Sequence, residues 1–447
     1  MYRGRSSYQG LGHGHGGPSN NWRARRLRNQ GPVHDSPLGR LVTEINLSDA
    51  SSSSSQVDEL KISDCRYMAS YSLVDSSSKI IVPGQPAAWK PPQLPSRLPE
   101  DSGVYLRDQN GAHFPKHPMQ PSVESIAALN KGFVPSNVDI MGCASSLGDI
   151  LRFAQSIEST FRFDVEMVGN TLFLVRNSRD QVIPDVHGFG HTFLDTFTSH
   201  EAEMRGTQSH QRIVSYSFGG LKCLVRFECD GYYTDKAGNI STATSDAGPL
   251  NLPEIPDSDS ISITAAGAVA SQQSILEIKT RSMRKPINMD EHLPRLWLRQ
   301  IPNFIVAYHH MSGNFREMQE MSVEEDLCKW EAKHESGLRK FASVLHQVIT
   351  AVKRVGHLKL ELCRTGLGPL ELREQFGEPR EALPNSWKDM WANDRFIVYD
   401  DDDVDDSYPS LLPDEGESSE SDDSEDSVVL DYTACDPACG YCGKCDY

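Results

Sequence analysis

A mixed α/β fold is predicted by three features of this 447-residue sequence. Apolar and β-branched runs at 161–168 and 171–176 flank Gly169-Asn170, a dipeptide suited to a tight turn, so they predict a hairpin. A second hairpin is predicted where 212–218 alternates, Gly219-Gly220 turns and 221–233 returns. Residues 323–355 place Leu327, Trp330, Leu338, Phe341, Leu345 and Val348 on one stripe of an amphipathic helix. Strands grouped before long helices are the order of a mixed α/β domain.

The other elements follow from the same patterns. A helix is predicted at about 146–157, a strand at 274–281, a helical stretch at about 291–309 and a last strand at 358–363, with an extended segment near 370. Residues 235–273 are rich in Ser, Asp, Ala, Gly and Pro and read as an inserted surface loop. The Pro-rich stretch 83–99 reads as extended chain running over the surface.

Composition bounds the domain. Residues 1–40 carry seven Arg and one acid, for +6, while 400–447 carry seventeen acids and one base, for −16. The formal net charge of −18 therefore leaves −8 for 41–399. Residues 1–57 read as a disordered Arg/Gly/Ser-rich arm and linker, 58–399 as the folded domain, and 400–447 as a disordered acidic tail. Arg23, Arg25, Arg26 and Arg28 in the arm suit weak, sequence-independent RNA binding or an inert solvated tail. No signal peptide or apolar span is visible, and six of the ten Cys are scattered. The reading is an intracellular protein of nucleus or cytoplasm, with reduced thiols and no membrane partner.

Chemistry concentrates on two predicted strands. Residues i and i+2 of a strand share a face, so Glu228 and Asp230 are expected to project together, and likewise Glu277 and Lys279, with Ile278 opposite. If the strands are neighbours, three carboxylates and one ammonium converge. Clustered carboxylates repel unless a cation sits among them, and Mg²⁺ or Mn²⁺ favours such oxygen ligands. Glu228, Asp230 and Glu277 would then hold metal, and Lys279 would orient water or steady phosphoryl oxygens, with Glu277 and Lys279 the catalytic pair. The alternative is two exposed faces with Glu277 and Lys279 as a surface pair.

Phe227-Glu-Cys-Asp-Gly231 and Leu276-Glu-Ile-Lys-Thr280 resemble the Glu-x-Asp and Glu-x-Lys strands of the DXO-like decapping and 5′-3′ exoribonuclease family, within the PD-(D/E)xK nuclease fold. Leu296-Trp-Leu-Arg-Gln300 and Ile305-Val-Ala-Tyr308 are similar to the helical segment that follows in that family. The resemblance implies a central mixed sheet with flanking helices and Mg²⁺/Mn²⁺-dependent hydrolysis at RNA 5′ ends. It also marks two departures. Where the family carries a further metal-binding Glu, Gly190-His-Thr-Phe-Leu194 ends in Leu, with Asp195 beside it as a substitute ligand. Around 140–146, where the family places a phosphate-binding Arg, there is none, and Arg152 lies further on. Those departures leave a non-catalytic RNA-binding protein on the same fold as the alternative.

Three further features carry separate expectations. Asp402-Asp403-Val-Asp405-Asp406 fits the Asp-Asp-x-x-Asp motif of prenyl diphosphate synthases, and the layout resembles fungal proteins labelled geranylgeranyl pyrophosphate synthetase. Those enzymes need two such motifs across a helical bundle, whereas this one lies in an acidic run suited to a protein partner. Cys435, Cys439, Cys442 and Cys445 could bind Zn²⁺ or form a redox-labile tail. His187 and His191 read as structural, with Gly188 and Gly190 arguing against a helix there, as do His309 and His310, which are expected to end a helix.

Overall fold

The computed structural model describes residues 37–47, 60–75, 78–176, 182–183, 186–236, 241–242, 260–310, 312–356 and 359–396. The Arg-rich arm, the Asp-Asp-x-x-Asp motif and the four C-terminal Cys lie outside them. Two large sheets organise the rest. The first has eleven strands and runs from Leu41–Ile45 at one edge to Ser262–Ala266 at the other. Its centre is Thr171–Val175, Ile140–Cys143, Leu221–Glu228 and Thr207–Phe218 in that order. The second has seven strands, with Gly231–Tyr232, Ile275–Ser282, Asn303–His310 and Asn314–Ser322 adjacent. Two sheets dominated by strands are not the helical bundle that a prenyl diphosphate synthase requires, and that alternative is set aside. No helix among the described residues is long and apolar enough to cross a membrane.

Strand alternation builds the core on both faces of the large sheet. Leu172 and Leu174 enter one apolar cluster, with the helices Ala144–Ala154, Met289–Arg299 and Glu335–Val355. Phe173 and Val175 enter the other, with Trp387 and Trp391 of Asn385–Ala392. Both faces being covered explains why 171–175 reads as a continuous apolar run. A third cluster covers one face of the second sheet, where Ile278 and Ile305 meet Phe193 and Leu194 of the Gly190–Phe197 helix.

The predicted hairpins form as Phe161–Val168 with Thr171–Val175, and Thr207–Phe218 with Leu221–Glu228. Six expectations need correction. The stretch 291–309 is one helix, Met289–Arg299, then a strand, Asn303–His310, so His309 and His310 end a strand. Pro302 stops the helix register, and Phe304, Ile305 and Val306 suit a strand buried on both faces, which apolar periodicity alone cannot tell from a helix. Residues 83–89 of the Pro-rich stretch are buried, because they run between the two sheets and Ala88–Trp89 joins the second. The folded region starts before residue 58, since Leu41–Ile45 pairs with Leu370–Glu374. The 235–273 segment contributes a strand, Ser262–Ala266, paired with Lys79–Pro83. His191 lies on a helix, Gly190–Phe197, despite its flanking Gly. The return strand does not run to 233 but ends at Glu228.

The helix Met289–Arg299 is the crossover between the parallel strands Ile275–Ser282 and Asn303–His310. Asn288 caps it through Asp290 N–H, and Gln300 ends it in the left-handed conformation at φ 50°. Its orientation is fixed by Trp297, 2% exposed, which packs on Phe218, Trp330 and Phe341 and donates from Nε1 to Glu331 Oε1 at 2.9 Å. Trp297→Ala is expected to cost about 3–5 kcal/mol in a chemical denaturation curve, the range for emptying an aromatic core site. A loss under about 1 kcal/mol would show that the helix is held by something else.

Candidate functional site

The chain changes sheet between Glu228 and Gly231. Cys229 donates its N–H to the His210 carbonyl at 2.9 Å, the last bond to the large sheet, and Gly231 then pairs with Leu276 in the second. Asp230 lies in the step. Its Oδ2 accepts the Ile278 N–H at 2.8 Å, a donor beyond the reach of the two-residue Gly231–Tyr232 strand. Glu228 and Asp230 are therefore not i and i+2 on one strand face, as the sequence suggested. The crossing of sheets brings them to the Glu277 strand instead.

Glu277 and Lys279 share a face as expected, with Ile278 in the apolar cluster opposite. They are 3% and 6% exposed, so their charges need partners inside the protein. Lys279 Nζ lies 2.7 Å from Glu277 Oε1 and 3.6 Å from Asp230 Oδ2. Two cations absent from the sequence reading complete the cluster. Arg299 Nη1 donates to Glu277 Oε2 at 2.7 Å, and Arg295 Nη2 lies 3.5 Å from Oε1. Both come from the crossover helix, four residues apart on one face. That spacing, on the helix after the Glu277 strand, was the signal available in the sequence.

The carboxylates differ electrostatically. Burial opposes ionisation of Glu277, but Lys279, Arg299 and Arg295 hold its pKa well below the ordinary range. Burial raises Asp230, with Lys279 opposing and Glu277 adding repulsion. Glu228 is pushed up to about 7 by burial and by the charges of Asp230 and Asp108, against the weaker pull of Arg299 and Arg176. His292, buried beside Arg295 and Lys279, is pushed down to about 3, chiefly by burial.

A Mg²⁺ or Mn²⁺ ion wants about six oxygens and a surplus of negative charge. Both oxygens of Glu277 are already engaged by Lys and Arg, and three carboxylates face three cations. At 4 Å and an effective dielectric of 20, a divalent ion meets roughly 8 kcal/mol of repulsion from each nearby cation, about what each carboxylate returns. Among the described residues no group of three or more His, Cys, Asp or Glu is placed to hold a metal. The donor set does not fit the expected ion. Leu194 is buried in the third apolar cluster and takes no part in the charged site. Asp195 is exposed on the next helical position and borders, with Glu228, a cavity of about 90 Å³. Neighbouring chain at the cavity's edge shields its carboxyl partly from water, and that desolvation together with the Asp101 charge raises its pKa.

Beside the cluster lies a cleft enclosing about 110 Å³, walled by Arg107, Arg152, Arg176, Arg226, Arg295 and Arg299. Asp108, Asp149, Glu228 and Glu291 also line it, so its wall carries two more positive than negative groups. Around 140–146 no Arg stands in the sequence, but Arg152 reaches this wall from the Ala144–Ala154 helix. Arg226 is one strand step, i−2, from Glu228, and it donates to Cys143 Sγ at 2.8 Å and the Pro118 carbonyl at 3.3 Å. The Ala144–Ala154 helix opens on the cleft at Cys143, Ala144 and Ser145, and Cys143 makes no side-chain cap. Its first N–H groups add positive potential there.

Residues 40–360 match a family described as a domain of unknown function, DUF8563. The chain belongs to that family. No curated protein matches the sequence. Among solved structures, Rai1 of S. pombe is similar at a TM-score of 0.50 and 14% identity, over 75% of this chain and 99% of that one. Scheffersomyces stipitis Rai1, in complex with (3′-NADP)+ and calcium ion, is similar at 0.50 and 12%, over 80% and 100%. The mixed α/β nuclease-like fold expected from the two carboxylate strands is the fold these proteins share. At this identity the likeness is one of fold.

A carboxyl raised in the folded state favours folding while protonated, a contribution present below its ordinary pKa and lost as pH rises through the folded value. For Glu228 the window runs from about 4.5 to about 7. Glu228→Gln should therefore melt above wild type at pH 8, by roughly 2–4 °C per kcal/mol, with the gap closing by pH 5. A gap that instead reverses at pH 8 would mean that ionised Glu228 is stabilised by a cation.

Proposed function

We propose that this protein binds RNA 5′ ends in the arginine-walled cleft of a nuclease-like fold, with hydrolysis slowed or lost. The observation that carries the reading is the six guanidinium groups around the cleft, joined by the uncapped start of the Ala144–Ala154 helix. Four of them, Arg107, Arg152, Arg176 and Arg295, are half-buried, a setting in which a phosphate competes well against water. Guanidinium forks suit phosphate oxygens, and helix N-termini favour anions. A terminal phosphate carries more charge than an internal one, so such a wall favours a 5′ end over the middle of a strand. The resemblance of the two carboxylate strands to the decapping and exoribonuclease family points to the same substrate class. A Rai1 relative described with (3′-NADP)+ makes a nucleotide a reasonable occupant.

Metal-dependent hydrolysis of those ends is the second reading. Its support is Glu228 and Asp230, which repel each other and leave a carboxylate pair only partly compensated. The acidic tail as a protein-binding arm and a nuclear or cytoplasmic location remain proposals resting on composition.

The test is fluorescence anisotropy on short RNAs bearing 5′-monophosphate, 5′-triphosphate, 5′-cap or 5′-hydroxyl, with product analysis in Mn²⁺. Binding is expected to favour phosphorylated ends over 5′-hydroxyl by at least about tenfold, the worth of one charge-assisted bond. Arg152→Ala with Arg176→Ala should weaken it by a further tenfold or more and flatten the log–log salt slope by about 0.7 per lost contact. Equal binding of 5′-hydroxyl and 5′-phosphate RNA would remove the 5′-end reading. Rapid turnover in Mn²⁺, abolished by Glu277→Gln, would replace it with the second.

A further inference from the structure

Glu277 lies behind the cleft wall, against Arg295 and Arg299 that line it, and its two oxygens face three different cations. Lys279 comes from its own strand, and Arg295 and Arg299 from the crossover helix. The helix cannot drift away, because Trp297 between the two Arg is anchored in the large core on the opposite side. Arg299 is 8% exposed, and among the described residues its Nε has no hydrogen-bond partner, so it is held close to Glu277 with one donor unused beside the cleft. Asp230 is drawn the same way, into the Ile278 backbone N–H and toward Lys279. Glu277, the carboxylate that would otherwise most need a divalent ion, is thus neutralised by side chains of this chain, and Asp230 is partly so.

We infer that Arg295 and Arg299 take the place of a divalent cation, so that the cleft accepts a phosphorylated end without metal. The inference rests on the 5′-end reading for its ligand, but its core, guanidinium in place of metal, stands or falls separately. A fixed guanidinium cannot lower the pKa of a bound water as a metal does, though it can bind and orient phosphoryl oxygens. The site then keeps recognition while hydroxide generation is lost. The two Arg are specificity-determining for the charge of what enters, excluding Mn²⁺ and admitting phosphate.

Calorimetric titration with MnCl₂ tests this on the full chain. Wild type is expected to show no saturable heat up to millimolar Mn²⁺. Arg295→Gln/Arg299→Gln, confirmed folded by circular dichroism, should acquire a saturable site at least tenfold tighter, lost again when Glu277→Gln is added. Arg295→Gln alone, at the more exposed position, gives a weaker gain and covers the case in which the double variant does not fold. Saturable Mn²⁺ binding by wild type that needs Glu277 overturns the inference. So does a folded variant that gains none. Anisotropy of 5′-phosphorylated RNA in EDTA reads the ligand independently. Failure of RNA to bind there removes the 5′-end reading while leaving the titration result to judge the metal replacement.

Discussion

A carboxylate taken out of water must be compensated where it stands, and Glu277, 3% exposed, has that requirement in an acute form. Removing one partner from such a buried pair costs on the order of 3–5 kcal/mol, because the other charge is left stranded. The surroundings of Glu277 answer that constraint. Its strand supplies Lys279 two residues on, and the parallel crossover supplies Arg295 and Arg299 one helical turn apart. A parallel neighbour requires a crossover, and the crossover helix lies across the face on which Glu277 and Lys279 project. The ion cluster and the βαβ unit therefore depend on each other.

The same geometry decides what the cleft can hold. Charge at Glu277 is balanced by its own neighbours, and the cleft wall, with six arginines against four carboxyl groups, presents a net positive face to an anion. Glu228 is the exception. Burial and Asp230 push it up to about 7, so near neutral pH it is partly uncharged and opposes an incoming phosphate less than its position suggests. The buried ion cluster and the arginine-walled cleft are thus joined through Arg295 and Arg299, which belong to both.

Much of this was legible in the sequence, and the failures have identifiable causes. Glu277, Ile278 and Lys279 lie in a continuous strand, where period two holds, and their facing was read correctly. Asp230 lies where the chain leaves one sheet for another, and no local pattern announces that step. Strand Asn303–His310 was read as helix because a fully buried apolar run carries no period. Asn314–Ser322 went unseen because it is largely exposed, with few β-branched residues. The cleft was missed for a different reason. Its arginines lie on five separate segments and are brought together only by the fold, although Arg226 at i−2 from Glu228 and the Arg295/Arg299 pair were readable hints. In the 190–197 helix, packing decides which of two neighbouring side chains is buried. Leu194 faces Ile278 and Phe315 in an apolar cluster, and Asp195 is turned away from it.

The most direct measurement is an anomalous-diffraction crystal structure of the full chain with Mn²⁺ and a short 5′-phosphorylated RNA. A 5′-phosphate is expected against the arginine wall, with Arg299 still on Glu277 and no manganese peak among Glu228, Asp230 and Glu277. A manganese peak ligated by Glu277, with Arg299 displaced from it, would mean that a metal and not arginine balances the buried carboxylate.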